Sequence, residues 1–364
     1  LLLQTHATLP ARFVRHDDWP LPLDILHGKP KLFVTGNVAQ SVIRGLNRNW
    51  ISAAISILIL VIAASVLYRL LRDIEPARVI AALQAQSPRK VLIGGAFTVA
   101  AYGALIFYDV FALRTISRHA VPFRVAAFAS FTSFTIGHSL GAATLTGGLV
   151  RLRVYGVWGL SVRDVVKIAF ITGMTFCLGS AFVLGSALCY APDAAGVFDH
   201  LPPWINRLAG LTALLAIACY LIWLAPRRRA VGRSDWRIVL PSARFTILQI
   251  AIGATDLSLV ALAMYALLPS SPAISFATVL VIFLIATLLG TISHVPGSLG
   301  VIEAAILIGL PQFHKDELLA ALLTFRVIYF VIPLAIAAIG LGLQELLLLG
   351  RPVTVSGDDS VPSL

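Results

Sequence analysis

Three arginines and three acids stand where the chain is otherwise apolar, and they are the residues able to do chemistry: Arg151, Arg153, Arg326, Asp109, Asp256 and Glu303. Guanidinium groups bind phosphate through fork-like paired N–H donors, and buried carboxylates carry protons, pair with arginines or receive cationic groups. Two glycine-broken stretches lie beside them. One runs Gly137-His138-Ser139-Leu140-Gly141 with Gly147-Gly148, the other His294-Val295-Pro296-Gly297-Ser298-Leu299-Gly300. Irregular backbone at membrane depth is tolerated only where protein or a wet cavity receives its polar groups, so two such breaks in opposite halves point to a transport site.

In the first stretch, exposed N–H groups at Gly137, Gly141, Gly147 and Gly148, with the hydroxyls of Ser139, Thr144 and Thr146, adjoin the basic run Arg151-Leu152-Arg153-Val154-Tyr155. A lipid phosphate could be held there. The competing reading is a helix-packing face of small residues with two interfacial arginines. In the second stretch, Pro296 and Gly297 end a helix, and Gly300 opens a short one that carries Glu303. Arg326 is the natural partner for Glu303, with Tyr329 one turn further on the same face. A purely structural pair would satisfy the same need, because buried charges must pair in either case. His294 and His138 read equally well as hydrogen-bonded core histidines. Asp109 is expected to pair at the membrane edge with Arg114 or Arg118, whereas Asp256 stands in mid-segment with no local base.

Gly137-His138-Ser139-Leu140-Gly141 also fits the nucleophile-elbow pattern of lipases and esterases. That element needs a strand-to-helix turn with an acid and a histidine downstream, and an uncharged apolar segment supplies neither. A membrane esterase or transferase using Ser139 is therefore the alternative rather than the main reading. No Walker loop, His-Glu-x-x-His or paired Cys-x-x-Cys occurs, so neither cofactor nor metal is expected, and no catalytic residue is assigned.

The elements that position these residues are helices in a bilayer. The chain has 364 residues, 58% hydrophobic and 12% charged, with mean hydropathy +0.90, far from the composition of a soluble domain. Apolar spans are predicted near 50–71, 90–112, 125–150, 166–191, 204–225, 244–268, 275–293 and 317–349, with a shorter piece at 299–310. The expected fold is an all-α polytopic membrane protein of about eight crossings with two broken or re-entrant segments, an arrangement compatible with two related halves. Residues 1–49 form a polar leader of unassigned role without an evident cleavable signal, 50–350 the membrane domain, and 351–364 a disordered tail. Segment 73–86 has the apolar spacing of an interfacial amphipathic helix.

The net charge of +11 lies in loops between spans, so it indicates anionic lipid and cytoplasmic loops rather than nucleic acid. Loop 226–244, with six arginines, is expected on the cytoplasmic side, and loop 192–203, with Asp193 and Asp199, on the other. Cys177, Cys189 and Cys219 are expected as small core residues.

From about Asp73 to Glu345 the chain resembles the membrane domain of the lysylphosphatidylglycerol synthetase/flippase family, the multiple peptide resistance factor proteins and their synthetase-less relatives. The resemblance rests on segments in order: Tyr108 to Leu113; Leu145 to Tyr155 followed by Trp158-Gly159-Leu160-Ser161; Gln249 through Asp256 to Pro269; Ser293 to Glu303; and Arg326 to Phe330 with Pro333. The family pattern has glycine, phenylalanine and tyrosine where this chain has Ser298, Ile302 and Leu152. The resemblance implies the translocating half, a transporter rather than an enzyme, without the soluble aminoacyltransferase domain. It implies a multi-pass protein of the bacterial cytoplasmic membrane, linked to antimicrobial peptide resistance. Its cargo would be a phospholipid of the phosphatidylglycerol or lysyl-phosphatidylglycerol class, and a homodimer and a separate lipid-modifying enzyme are compatible partners. The headgroup site would comprise Arg151, Arg153, Asp256, His294, Glu303, Arg326 and Tyr329, framed by Gly141, Gly147, Gly148, Pro296, Gly297 and Gly300, with Asp109 and His138 secondary. A structural lipid-binding protein remains the second alternative.

Overall fold

The computed structural model describes residues 81, 84, 86–118, 120–140, 143–225, 230–231, 238–293 and 295–349. The leader 1–49, the expected span 50–71, nearly all of segment 73–86, most of the basic loop 226–244 and the tail 351–364 lie outside them. Helix α1 (Pro88–Thr115) is followed by α2 (Phe123–Leu140), α3 (Ala143–Gly156) and α4 (Val162–Tyr190). A short α5 (Gly196–Asp199) leads to α6 (Pro203–Leu224). A two-residue ribbon, β1 (Ala230–Val231) against β2 (Ile238–Val239), precedes α7 (Ala243–Leu267) and α8 (Phe276–Ser293). The chain ends in α9 (Val301–Gly309), α10 (Lys315–Arg326), a π turn over Val327–Val331, and α11 (Ile332–Leu349).

The protein is all-α and polytopic. Six helical stretches among the described residues are long and apolar enough to cross a membrane: α1, α4, α6, α7, α8 and the continuous Lys315–Leu346. The predicted span 125–150 is not one straight crossing. It forms α2 and α3, which pack against each other. The second broken segment likewise folds α9 back onto α8.

Helix α7 is the hub, packed against α1, α4, α8 and α10. Half of its most apolar stretch is buried, against 17% for α6, which leaves α6 at the periphery. Lipid tails are as apolar as leucine, so packing and close backbone approach hold such helices together rather than exclusion from water. Where α4 crosses α7 both helices carry glycine: a Cβ on Gly253 would lie 2.5 Å from the Thr175 carbonyl oxygen, and one on Gly179 2.6 Å from Gly253. Gln249 closes the crossing, donating to the Ile171 carbonyl at 3.1 Å and to Thr175 Oγ1 at 2.9 Å.

The cysteines depart from expectation. Cys177 and Cys219 are exposed on helix flanks and Cys189 is half-buried. A thiol is a small, weakly polar group that lipid solvates about as well as a protein core does, so apolar sequence context could not distinguish the two.

The α4 N-terminus is held by a capping box. Ser161 Oγ accepts from the Asp164 amide at 3.3 Å, and Asp164 Oδ2 accepts from the Ser161 amide at 3.0 Å. Arg118, just beyond α1, donates to the same Oδ2 at 2.9 Å and ties the two helix ends together.

Gly253→Val is expected to force α4 and α7 apart, at a cost of about 1–3 kcal/mol. A lowered thermal midpoint of the detergent-purified protein, followed by size-exclusion fluorescence, would show it; an unchanged midpoint would contradict this account of the crossing.

Candidate functional site

Aspartate 109 is fully buried and receives three arginine contacts from α3. Arg151 Nε donates to Oδ1 and Oδ2 at 3.2 and 3.0 Å, and Nη2 to Oδ1 at 2.7 Å. Tyr155, one turn after Arg151, donates its hydroxyl to Oδ2 at 2.7 Å. The expected edge pair of Asp109 with Arg114 or Arg118 is therefore corrected: Asp109 pairs with Arg151 across α1 and α3, and Arg118 pairs with Asp164. The reason is tertiary. Asp109 faces inward on α1, away from the water that would let an edge charge snorkel. Arg151 also lies over the Phe134 ring of α2, 4.8 Å from its centroid.

Gly147 permits this arrangement. A Cβ there would lie 2.9 Å from the Ser133 carbonyl oxygen, so a side chain would push α3 off α2, while Arg151 Nη1 stands at an ordinary contact distance of 3.5 Å. Gly148 meets nothing within 4 Å, and Gly141 lies outside the described residues. Arg153, on another face of α3, is bidentate to Glu345 of α11, with Nε–Oε1 at 2.7 Å and Nη2–Oε2 at 2.5 Å.

The second break is built around Arg326. Its Nε donates to Glu303 Oε1, Nη1 reaches the Gly297 carbonyl at 3.2 Å, and Nη2 points at the Ser298 carbonyl at 3.5 Å. Glu303 Oε2 in turn accepts from the Gly300 amide at 2.8 Å, one of the N–H groups that a helix start leaves unmet. One guanidinium thus ties α10, the Pro296–Ser298 turn and the start of α9 together. Gly297 and Gly300 take φ of +59° and +79°. Ser298 takes φ +49°, a region that costs an L-residue roughly 1–2 kcal/mol. Its side chain packs where Gly290 of α8 leaves room, since a Cβ on Gly290 would lie 2.6 Å from Ser298 Oγ. His294 lies outside the described residues.

Helix α2, which runs into the first break, packs directly on the Pro296–Ser298 turn of the second, and Leu299 packs into the cluster formed by α1, α2, α3, α4 and α11. Two hydroxyls of α2, on Ser133 and Ser139, are buried and make no hydrogen bond among the described residues. Ser139 sits inside α2 rather than on a strand-to-helix turn, and its Oγ has no base within hydrogen-bond reach among the described residues. His138 stands 5.8 Å from the Phe134 ring, centroid to centroid.

Asp256, on α7, accepts from the Tyr108 hydroxyl through Oδ2 at 3.0 Å, while Oδ1 is buried and accepts nothing among the described residues. Tyr329 lies in the π turn, stacked on Phe325 at 5.2 Å. Its carbonyl would receive the amide of residue 333 in an α-helix, but residue 333 is proline. The Tyr102 hydroxyl of α1 donates to that carbonyl at 3.0 Å. Tyr108, Tyr155 and Glu345 were given no role from sequence. Tyr155 stood four residues after Arg151, a same-face spacing that could have marked it.

Helix pairs folded back at two backbone breaks, with each buried arginine among the described residues matched to an acid, define a polytopic α-helical membrane protein. Residues 50–337 match the family model described as lysylphosphatidylglycerol synthase TM region, and the chain belongs to that family. It is 31% identical over 261 residues to the uncharacterised protein slr0712 of Synechocystis, covering 71% of this chain and 81% of the relative. It is 28% identical over 238 residues to the inner membrane protein YbhN of Escherichia coli, covering 64% and 73%. The phosphatidylglycerol lysyltransferase of Staphylococcus haemolyticus is 40% identical over 68 residues, 18% of this chain and 8% of that protein. The match is thus to the membrane region of the family.

Asp109→Ala is expected to strand Arg151 and destabilise the fold by about 3–5 kcal/mol, whereas Asp109→Leu combined with Arg151→Met should recover most of that loss. Thermal midpoints of both proteins decide the point, and a double variant no better than the single would refute the pairing argument. Ser298→Gly should instead raise the midpoint, by relieving its positive φ; a lowered midpoint would mean that the Ser298–Gly290 packing outweighs the backbone term.

Proposed function

We propose that this protein binds an anionic phospholipid by its headgroup, of the phosphatidylglycerol or lysyl-phosphatidylglycerol class, and moves it between leaflets of the bacterial inner membrane. The observation that carries this reading is the packing of α2, which runs into the first break, on the Pro296–Ser298 turn of the second, beside the Arg326–Glu303 pair. The printed names of the relatives, an inner membrane protein and lysyltransferases acting on phosphatidylglycerol, support the location and the lipid class.

The headgroup enters between the α2–α3 hairpin and the Pro296–Gly300 turn while its acyl chains stay in lipid. Phosphate is a better bidentate partner for guanidinium than a backbone carbonyl, so it takes over the donors that Arg326 spends on Gly297 and Ser298. Glu303 is more accessible than Arg326, with side-chain exposures of 21% and 6%, and so is positioned to receive the ammonium of a lysyl ester. Arg153, paired at the edge with Glu345, offers phosphate a second contact. Arg151 is held by Asp109 and contributes mainly positive field, with Nη1 turned toward Gly147.

Labelled phosphatidylglycerol and its lysyl ester in proteoliposomes test the proposal. Both should cross faster with protein than without, and Arg326→Lys should slow crossing by about tenfold or more, because an ammonium cannot replace a planar fork that reaches three oxygens. Equal rates with and without protein would reject translocation and leave a structural lipid-binding role.

A further inference from the structure

Among the described residues, the charges within the helical body are matched in pairs with one left over. Arg151 is met by Asp109, Arg153 by Glu345 and Arg326 by Glu303. Asp256 is the fourth acid in the membrane body. It is 5% exposed, and no lysine or arginine among the described residues forms an ion pair with it. Its one observed hydrogen bond comes from a neutral phenol, Tyr108, and its second oxygen is bare. An isolated carboxylate in such a place costs far more than one phenol bond returns, so the group is neutral unless a cation joins it.

The surroundings narrow the choice of cation. From α1, Tyr108 donates to Asp256 and Tyr102 lies within electrostatic range of it, as does Tyr329 of the π turn; Asp109 on α1 is already committed to Arg151. Helix α4 brings Cys177 near Tyr108, while its Asp164 is held at the helix start by Ser161 and Arg118. Helix α8 has no titratable side chain. On α10, Lys315, Asp316 and Glu317 occupy the first turn, and Arg326 is bound to Glu303. Arg207 lies in the first turns of the peripheral α6, with Cys219 and Tyr220 near its end. A metal ion would need several converging oxygens, and among the described residues no cluster of three acids, histidines or cysteines exists. Three phenols around one carboxyl, with a bare oxygen and a tightly packed site, suit a proton.

We propose that Asp256 is a proton-binding carboxyl, protonated in this packed state, and that its loss and gain of a proton drives the lipid movement proposed above. Protonated, it needs no counter-ion and lets α1 and α7 pack closely. Deprotonated, it requires water or a cationic group at Oδ1, which only an opened arrangement of these helices admits. The coupling rests on the translocase reading, but the protonation does not, and the two are measured separately.

Infrared difference spectra of the full chain in lipid, recorded across a pH series, read the carboxyl directly. A protonated-carboxyl stretch that disappears in Asp256→Asn and shifts in Tyr108→Phe, which keeps the acid but removes its donor, supports the proton site. The absence of any stretch that depends on Asp256 overturns it. Labelled phosphatidylglycerol in proteoliposomes with an imposed pH gradient reads the coupling. One proton per lipid gives about a tenfold change in the leaflet ratio per pH unit. Asp256→Asn, close in shape and permanently neutral, should abolish that response. Lipid crossing that ignores the gradient in the unmodified protein overturns the coupling while upholding translocation, and no crossing at all rejects the translocase reading and the coupling together.

Discussion

Inside a bilayer no water stands ready to accept a hydrogen bond that the protein fails to make, and the rest of this structure follows from that restriction. The Asp109–Arg151 pair is its strongest expression. A fully buried carboxylate takes three arginine contacts and a tyrosine hydroxyl, and these bind α1 to α3 at one level of the membrane body. Gly147 at that level lets α3 lie close on α2, since a larger residue would meet the Ser133 carbonyl and separate them. The pair therefore dictates which helices are neighbours and where small residues must stand between them.

The same restriction explains how the chain tolerates broken backbone. Freed groups are met by side chains: the Gly297 carbonyl by Arg326 and the Tyr329 carbonyl by Tyr102, each from another helix, and the Gly300 amide by Glu303, three residues on. Tertiary contacts thus add to local capping in holding the irregular segments. They are also the places where a ligand oxygen can substitute for a protein oxygen with little loss, and where a π turn followed by Pro333 leaves the backbone freer to change than an unbroken helix would.

Much of this was legible before any coordinates. Apolar runs located the six long helical stretches, and the helix-breaking residues located both breaks, because hydropathy and proline chemistry are local properties. The Glu303–Arg326 pairing could be anticipated, since each was a charge in an apolar segment needing an opposite sign. Asp109 shows where that reasoning stops. Arg114 and Arg118 were nearer in sequence, yet the direction in which α1 turns Asp109 selects Arg151. The cysteines show the same limit: an apolar helix has one side in protein and another in lipid, and composition does not separate them.

Residue order alone established a polytopic α-helical membrane protein with polar breaks in both halves, because a chain this apolar must satisfy its backbone within its own helices. It also established the residues whose burial as charges demands partners. Only the folded structure decided that Asp109 takes Arg151, that α2 meets the Pro296–Ser298 turn, and that Asp256, of the four inner acids, has no arginine partner among the described residues. Those outcomes depend on helix rotation and crossing, set by close contacts such as Gly179 with Gly253, and no local spacing encodes them.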